Sequence, residues 1–168
     1  KRWLLLDFLI KKFFGYNPIN FIKRPAPVII TEFLSNYSLE KMLEQKRKGN
    51  NSTLIDDTNK LIITYGIAAG MSFLHSNNIL HRDLKPSNIL LDCNLYPKIS
   101  GFSLSKQITD NIDQIRSELI GTPAYLAPEV LLAKKYNKKS DVYAFSLILY
   151  EIITENKPFP KNQDILEL

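Results

Sequence analysis

The chain has 168 residues, 45% of them apolar, and a net charge of +5, with an isoelectric point of about 9.2; this composition supports one or two packed domains. The single cysteine, Cys93, excludes a disulfide or structural zinc framework and points to a reducing, cytoplasmic setting. Lysines come in pairs (Lys11-Lys12, Lys134-Lys135, Lys138-Lys139) rather than one long run, which predicts solvated faces and no nucleic-acid surface, and the longest apolar run, about 142–153, is too short to enter a membrane as a span.

Residues 1–14 are apolar between basic flanks, with no small-residue cleavage site behind them, so no signal peptide is expected. Leu4, Leu5, Leu6, Phe8, Leu9 and Ile10 run together, and their period does not separate buried strand from buried helix. Gly15-Tyr16-Asn17-Pro18 has the composition of a turn. Val28-Ile29-Ile30-Thr31 is β-branched throughout and follows Pro25 and Pro27, which predicts a strand. Ser38 is placed to cap a helix over about 39–48, with Leu39, Met42 and Leu43 inward, and Gly49-Asn50-Asn51-Ser52 ends it. A second helix is expected over about 59–75, capped by Asp57 or Thr58, with Ile63, Ile67, Met71 and Leu74 on one face. Gly66 and Gly70 cost helix propensity there, which suggests close packing against another helix. His75, at its polar end, reads as a solvated or capping histidine.

Next comes His81-Arg82-Asp83-Leu84-Lys85-Pro86-Ser87-Asn88. Asp83 can accept a proton, Lys85 can neutralise a phosphate, and Asn88 can offer a carbonyl oxygen to a hard cation. Ile89-Leu90-Leu91 and Lys98-Ile99-Ser100 are β-prone runs around a turn at 93–97 that holds Cys93. Further on stands Gly121-Thr122-Pro123-Ala124-Tyr125-Leu126-Ala127-Pro128-Glu129. Ser140-Asp141 opens a helix over 142–154, apolar on nearly all sides, which predicts a central buried helix closed by Asn156-Lys157-Pro158.

The run from His81 matches, without a gap, the His-Arg-Asp-Leu-x-x-x-Asn catalytic loop of eukaryotic protein kinases, and 121–129 ends in that family's Ala-Pro-Glu. On these motifs the chain resembles a protein kinase domain. Lys85, two residues after Asp83, resembles the serine/threonine kind. Tyr143-Ala144-Phe145 and Thr31-Glu32-Phe33-Leu34 look most like the tyrosine-kinase-like group. The resemblance implies an α+β, protein-kinase-like fold: a mostly helical large lobe with a remnant of the small lobe's antiparallel sheet. Residues 1–34 would be the end of the small lobe and the hinge, and 35–168 the large lobe, stopping before its last helices.

The implied activity is transfer of the γ-phosphoryl of ATP to serine or threonine hydroxyls of a protein substrate. Asp83 would orient the hydroxyl and take its proton, Lys85 would balance phosphate charge, and Asn88 would hold a metal ion. Thr31 would stand at the back of the adenine pocket, the backbone of Glu32 and Leu34 would face the adenine edge, and Leu90 would form the floor. Asp141 would fix the catalytic-loop backbone, and Arg82 would be the partner of a phosphate on Thr109 or Ser117. Glu129 would await an arginine from a later helix.

Two departures bear on activity. The family's Asp-Phe-Gly is here Gly101-Phe102-Ser103, and Gly101 has no side chain to hold the magnesium that bridges nucleotide phosphates. Ser100 and Ser103 offer only neutral hydroxyls. Losing that metal would cost very roughly 10²–10⁴-fold in rate. The chain also has no Gly-x-Gly-x-x-Gly and no Val-Ala-Ile-Lys. The expectation is therefore ATP with weak or absent magnesium, in an impaired kinase, a pseudokinase that binds a partner protein, or a non-functional gene fragment.

Overall fold

The computed structural model describes residues 13–17, 28–34, 37–49, 56–108, 115–116 and 118–159. The apolar run over 4–10 and the two candidate phosphosites, Thr109 and Ser117, lie outside them. Strand β1 (Phe13–Asn17) pairs antiparallel with β2 (Val28–Thr31). Gly15-Tyr16-Asn17 is thus strand, not the expected turn. Gly15 sits where the register slips between Phe13↔Thr31 and Gly15↔Ile30, so the glycine marks a bulge rather than a chain reversal.

Helix α1 (Leu39–Arg47) starts as expected at Ser38, whose Oγ accepts from the Lys41 N–H at 3.4 Å. Leu39, Met42 and Leu43 point inward, and Lys46 and Arg47 complement the dipole in the last turn. Helix α2 (Asp57–Ser76) begins earlier than the sequence predicts, because Asp56 is its cap and accepts from the Asn59 N–H at 2.7 Å. Asp56 and Asp57 are equal by composition, and only backbone geometry separates them. Ile63, Ile67, Met71 and Leu74 are buried on one face, together with Gly66 and Gly70.

Short strands follow in antiparallel pairs. β3 (Ile79–Leu80) pairs with β6 (Lys106–Gln107), and β4 (Ile89–Leu91) pairs with β5 (Pro97–Ile99). β7 (Ile115–Arg116) pairs with β8 (Lys135–Tyr136), across the short helix α3 (Pro128–Ala133). Helix α4 (Lys138–Thr154) opens at an Asn137 cap. Asn137 Oδ1 accepts from the Ser140 N–H at 3.1 Å while Ser140 Oγ accepts from the Asn137 N–H at 3.2 Å. This reciprocal box starts the helix a turn before the expected Ser140-Asp141.

The α+β architecture gathers two cores. One joins α1, α2, α4 and the β4–β5 hairpin through residues such as Leu43, Ile63, Ile67, Ile99 and Ile148. Each is essentially fully buried, worth about 1.5–3 kcal/mol apiece. The second holds Leu80, Leu126, Val130 and Tyr136 under the 115–136 region. Helix α4 is central but not enclosed on all sides by the described residues. It buries Ala144, Ile148 and Ile152 yet leaves Val142, Tyr150 and Ile153 between 45% and 62% exposed.

Candidate functional site

The site is set by one buried carboxylate on α4. Asp141, 3% exposed, accepts from the backbone N–H of His81 at 2.9 Å and of Arg82 at 2.9 Å. Its Oδ2 also meets His75 Nε2 at 3.0 Å. His75 is therefore a partner of Asp141, not the solvated or capping residue expected from its place at the end of α2. The two hydrogen bonds hold Arg82 at φ +65°, a left-handed conformation that an L-residue adopts only at a cost.

His81 is fully buried. Its Nε2–H donates to the Ser100 carbonyl at 2.8 Å, leaving Nδ1 to accept from the Asp83 N–H at 3.3 Å. Burial pushes the His81 imidazole below its ordinary range, against the opposing bond to Ser100. A neutral ring suits both contacts. Phe102 lies beside it, with ring centroids 5.2 Å apart. Arg82 Nε donates to the Leu104 carbonyl at 2.6 Å, and its guanidinium stands over the Tyr136 ring at 5.5 Å. The Tyr136 hydroxyl donates to the Ile120 carbonyl at 2.7 Å and accepts from the Ile120 N–H at 2.8 Å.

This scaffold presents Asp83, Lys85 and Asn88 together, as their spacing predicts. Asp83 Oδ1 accepts from the Thr122 hydroxyl at 2.8 Å. Asp83 Oδ2 faces Lys85 Nζ at 3.1 Å and Asn88 Nδ2 at 3.1 Å. Lys85 Nζ also donates to Thr122 Oγ1 at 2.7 Å, and Asn88 Nδ2 donates to the Asp83 carbonyl at 2.7 Å. Chemically, this is a carboxylate aimed by a hydroxyl, an amide and an ammonium. Thr122 had no distinguishing signal in the sequence beyond lying in the run before Ala-Pro-Glu; a separation of 39 residues from Asp83 hides the contact.

Of the residues expected around adenine, Leu90 lies on the hairpin that follows, whereas Thr31, Glu32 and Leu34 lie at the end of β2 and just after it. Leu90, half-buried, lies across from Lys98 in the β4–β5 register. Lys98, only 8% exposed, reaches Glu32 at 2.9 Å. Thr31 and Leu34 flank Glu32 and are half-buried, whereas Phe33 turns outward at 91% exposure. This ion pair joins the segment after β2 to the hairpin.

At the expected metal position, Gly101 contributes no side-chain donor. The neighbouring Ser100 hydroxyl is spent on the Asn88 carbonyl at 2.9 Å. Among the described residues no three His, Cys, Asp or Glu gather as a metal cluster. Glu129 takes its hydrogen bond from Ser140 Oγ at 2.9 Å. No helix of the described residues is long and apolar enough to cross a membrane.

The protein kinase domain family matches residues 19–167. A dual specificity protein kinase of Dictyostelium discoideum is 37% identical over 134 residues, covering 79% of this chain and 20% of that protein. A proline-rich receptor-like protein kinase of Arabidopsis thaliana is 38% identical over 141 residues, covering 82% of this chain and 20% of its own length. A cold-responsive protein kinase of the same plant is 37% identical over 130 residues, covering 76% and 33% respectively. The chain spans a third or less of each of these relatives.

Proposed function

Because this chain belongs to the protein kinase family, whose members use ATP and magnesium and act on proteins, we propose that it is the large-lobe part of a serine/threonine-type phosphotransferase domain with impaired use of the metal. Residues 1–34 contribute the end of the small lobe and the hinge, and 35–168 the large lobe. The observation that carries the reading is the engaged Asp83 carboxylate, held by Lys85 and Thr122 on a loop anchored at Asp141. Asp83 takes the role of orienting a protein hydroxyl and accepting its proton. Lys85, already beside it, balances charge on the incoming phosphate. ATP supplies the phosphoryl group, with adenine set against Thr31, Glu32, Leu34 and Leu90.

Impairment is inferred from the donor set. Gly101 brings no side-chain carboxylate, and the only side-chain oxygen at Asn88 is neutral, which fits a resident magnesium ion poorly. This same observation favours a second reading, a pseudokinase whose task is to bind a partner protein. A cytoplasmic location belongs to either reading and is supported by the lone exposed cysteine, Cys93.

Calorimetry with ATP, with and without magnesium, tests the impaired site. Weak binding that changes little with the metal is expected; tight binding that collapses on chelation would overturn it. The two readings separate in a chimera carrying the complete small lobe and C-terminal helices of an active relative. With Gly101→Asp and Ser103→Gly, measurable transfer to a serine/threonine substrate, lost again on adding Asp83→Asn, supports the enzyme. A repaired chimera that binds magnesium nucleotide and stays inactive supports the binding module.

A further inference from the structure

We infer that Lys134, Lys135, Lys138 and Lys139 form a docking surface for an acidic segment of a protein, on the border of the site that holds Asp83. Three features of this stretch go against the local preferences of the chain. Lys134 ends α3 at φ +53°, in the left-handed region that glycine adopts at least cost, yet it carries a long, exposed side chain. Arg116 is paired in register with Lys135 between β7 and β8, so two like charges share one rung. Lys138 and Lys139 are the first residues of α4, where the aligned peptide dipoles disfavour cations. Each feature costs stability, and all of them concentrate positive charge in one place. Local preferences are overridden in this way where a site needs the residues.

The charge is not answered within the described residues. None of these four lysines forms an ion pair with a described carboxylate. Lys138 Nζ donates to Asn78 Oδ1 at 2.8 Å, a neutral partner that holds the side chain and leaves its charge. Asp141, the acid in the first turn of α4, is buried and taken up by His75 and by the N–H groups of His81 and Arg82. Glu129 takes the Ser140 hydroxyl. The patch meets the site through Tyr136, between the two lysine pairs, whose hydroxyl bonds to the backbone of Ile120. Two residues on, Thr122 donates to Asp83. Carboxylates flanking a hydroxyl offered to Asp83 supply the missing anions. Leu132, 87% exposed just before the lysines, adds an apolar contact that suits a peptide better than a bare polyanion. The choice of occupant rests on the reading of Asp83 as the acceptor of a proton from a protein hydroxyl; the electrostatic conflict at 134–139 stands apart from it.

The test is fluorescence anisotropy on the 168-residue chain. One probe is a labelled peptide with a central serine flanked on both sides by aspartates and glutamates; the other is its asparagine and glutamine counterpart. The acidic peptide should bind about tenfold more tightly than the neutral one, and more weakly as salt rises. Lys134→Gly, Lys135→Gln and Lys139→Glu together should weaken the acidic peptide about tenfold without lowering the melting temperature, because they relieve the conflicts. Lys48→Glu with Lys157→Glu makes an equal charge change at exposed positions by the other end of α4 and should keep most of the affinity. Equal loss in both variants, equal binding of the two peptides, or tighter binding of a single-stranded oligonucleotide of the same charge overturns the proposal. Should the triple variant not fold, Lys139→Glu alone should still weaken the acidic peptide, and no loss there overturns it too. In the repaired chimera, phosphotransfer indifferent to acidic flanks overturns this surface and leaves the phosphotransferase standing. An inactive chimera beside lysine-dependent peptide binding does the reverse, so the two failures are distinguishable.

Discussion

Arg47 and Glu151, 104 residues apart in sequence, meet at 2.6 Å in the interior. Glu151 is 2% exposed on the central helix α4, and Arg47 closes α1. The Tyr125 hydroxyl donates to the other Glu151 oxygen, and Arg47 Nε donates to the Glu155 carbonyl. Burial, then the bond to Glu151, pushes the Tyr125 hydroxyl far above its ordinary range, so it stays a donor. The pair ties α1 to α4 and, through Tyr125, to the run that supplies Thr122.

Removing Arg47 should therefore be severe. Arg47→Met leaves a buried carboxylate without its cation and should cost about 3–5 kcal/mol. Adding Glu151→Gln removes the orphan charge and keeps an acceptor for Tyr125, so much of the loss should return. Urea unfolding of the two variants checks this, and equal destabilisation would count against the pairing.

Gly121 should tolerate no side chain. Its φ is +102°, and a Cβ there would stand 2.7 Å from the Arg82 carbonyl oxygen and 2.9 Å from Leu126 Cδ2. The carbonyl belongs to backbone held by Asp141, so it cannot swing away as a side chain would. Gly121→Ala should cost at least about 1–3 kcal/mol and raise amide exchange at Arg82. An unchanged melting temperature would contradict the contact.

Acid should weaken the fold through His81. Its folded-state pKa is depressed, so below the ordinary value of about 6.5 the unfolded chain takes up a proton that the folded ring resists. The contribution is complete above about pH 6.5 and is lost as pH falls towards the depressed folded value. Urea midpoints measured from about pH 8 down to about pH 5 should show this decline. His81→Asn, which cannot titrate, should flatten that part of the curve.

Asp141→Ala should open the His81–Asn88 loop. It strips the buried N–H groups of His81 and Arg82 of their acceptor, at about 1–3 kcal/mol for each. Hydrogen exchange should quicken at those two amides before it does in α2. Uniform exchange across the molecule would indicate a general rather than local role.

Much of the fold was legible because its signals are local. Leu39, Met42 and Leu43 in α1, and Ile63 to Leu74 in α2, follow helical spacing and are buried as expected. The stretch from His81 to Asn88 brings its acid, cation and amide together because five residues of loop can do little else. Helix starts were less legible: Asp56 and Asn137 cap, rather than their neighbours, because capping depends on backbone geometry that similar side chains share. Among partnerships across long separations, that of Asp141 with the backbone of His81 and Arg82 was expected only through the family resemblance, and those of His75 with Asp141 and of Thr122 with Asp83 were not expected at all. Glu151 is an intermediate case, since an acid inside an apolar helix announces a need for a cation without saying which one.

Asp141 lies 60 residues after His81, the residue whose N–H it receives. A chain growing from its N-terminus at about 5–20 residues per second completes the loop's sequence at Asn88 about 3–11 s before that carboxylate exists. During this interval nothing local keeps Arg82 in its left-handed conformation. A stall between codons 88 and 141 would therefore release a chain that carries Asp83, Lys85 and Asn88 without the carboxylate that anchors their loop.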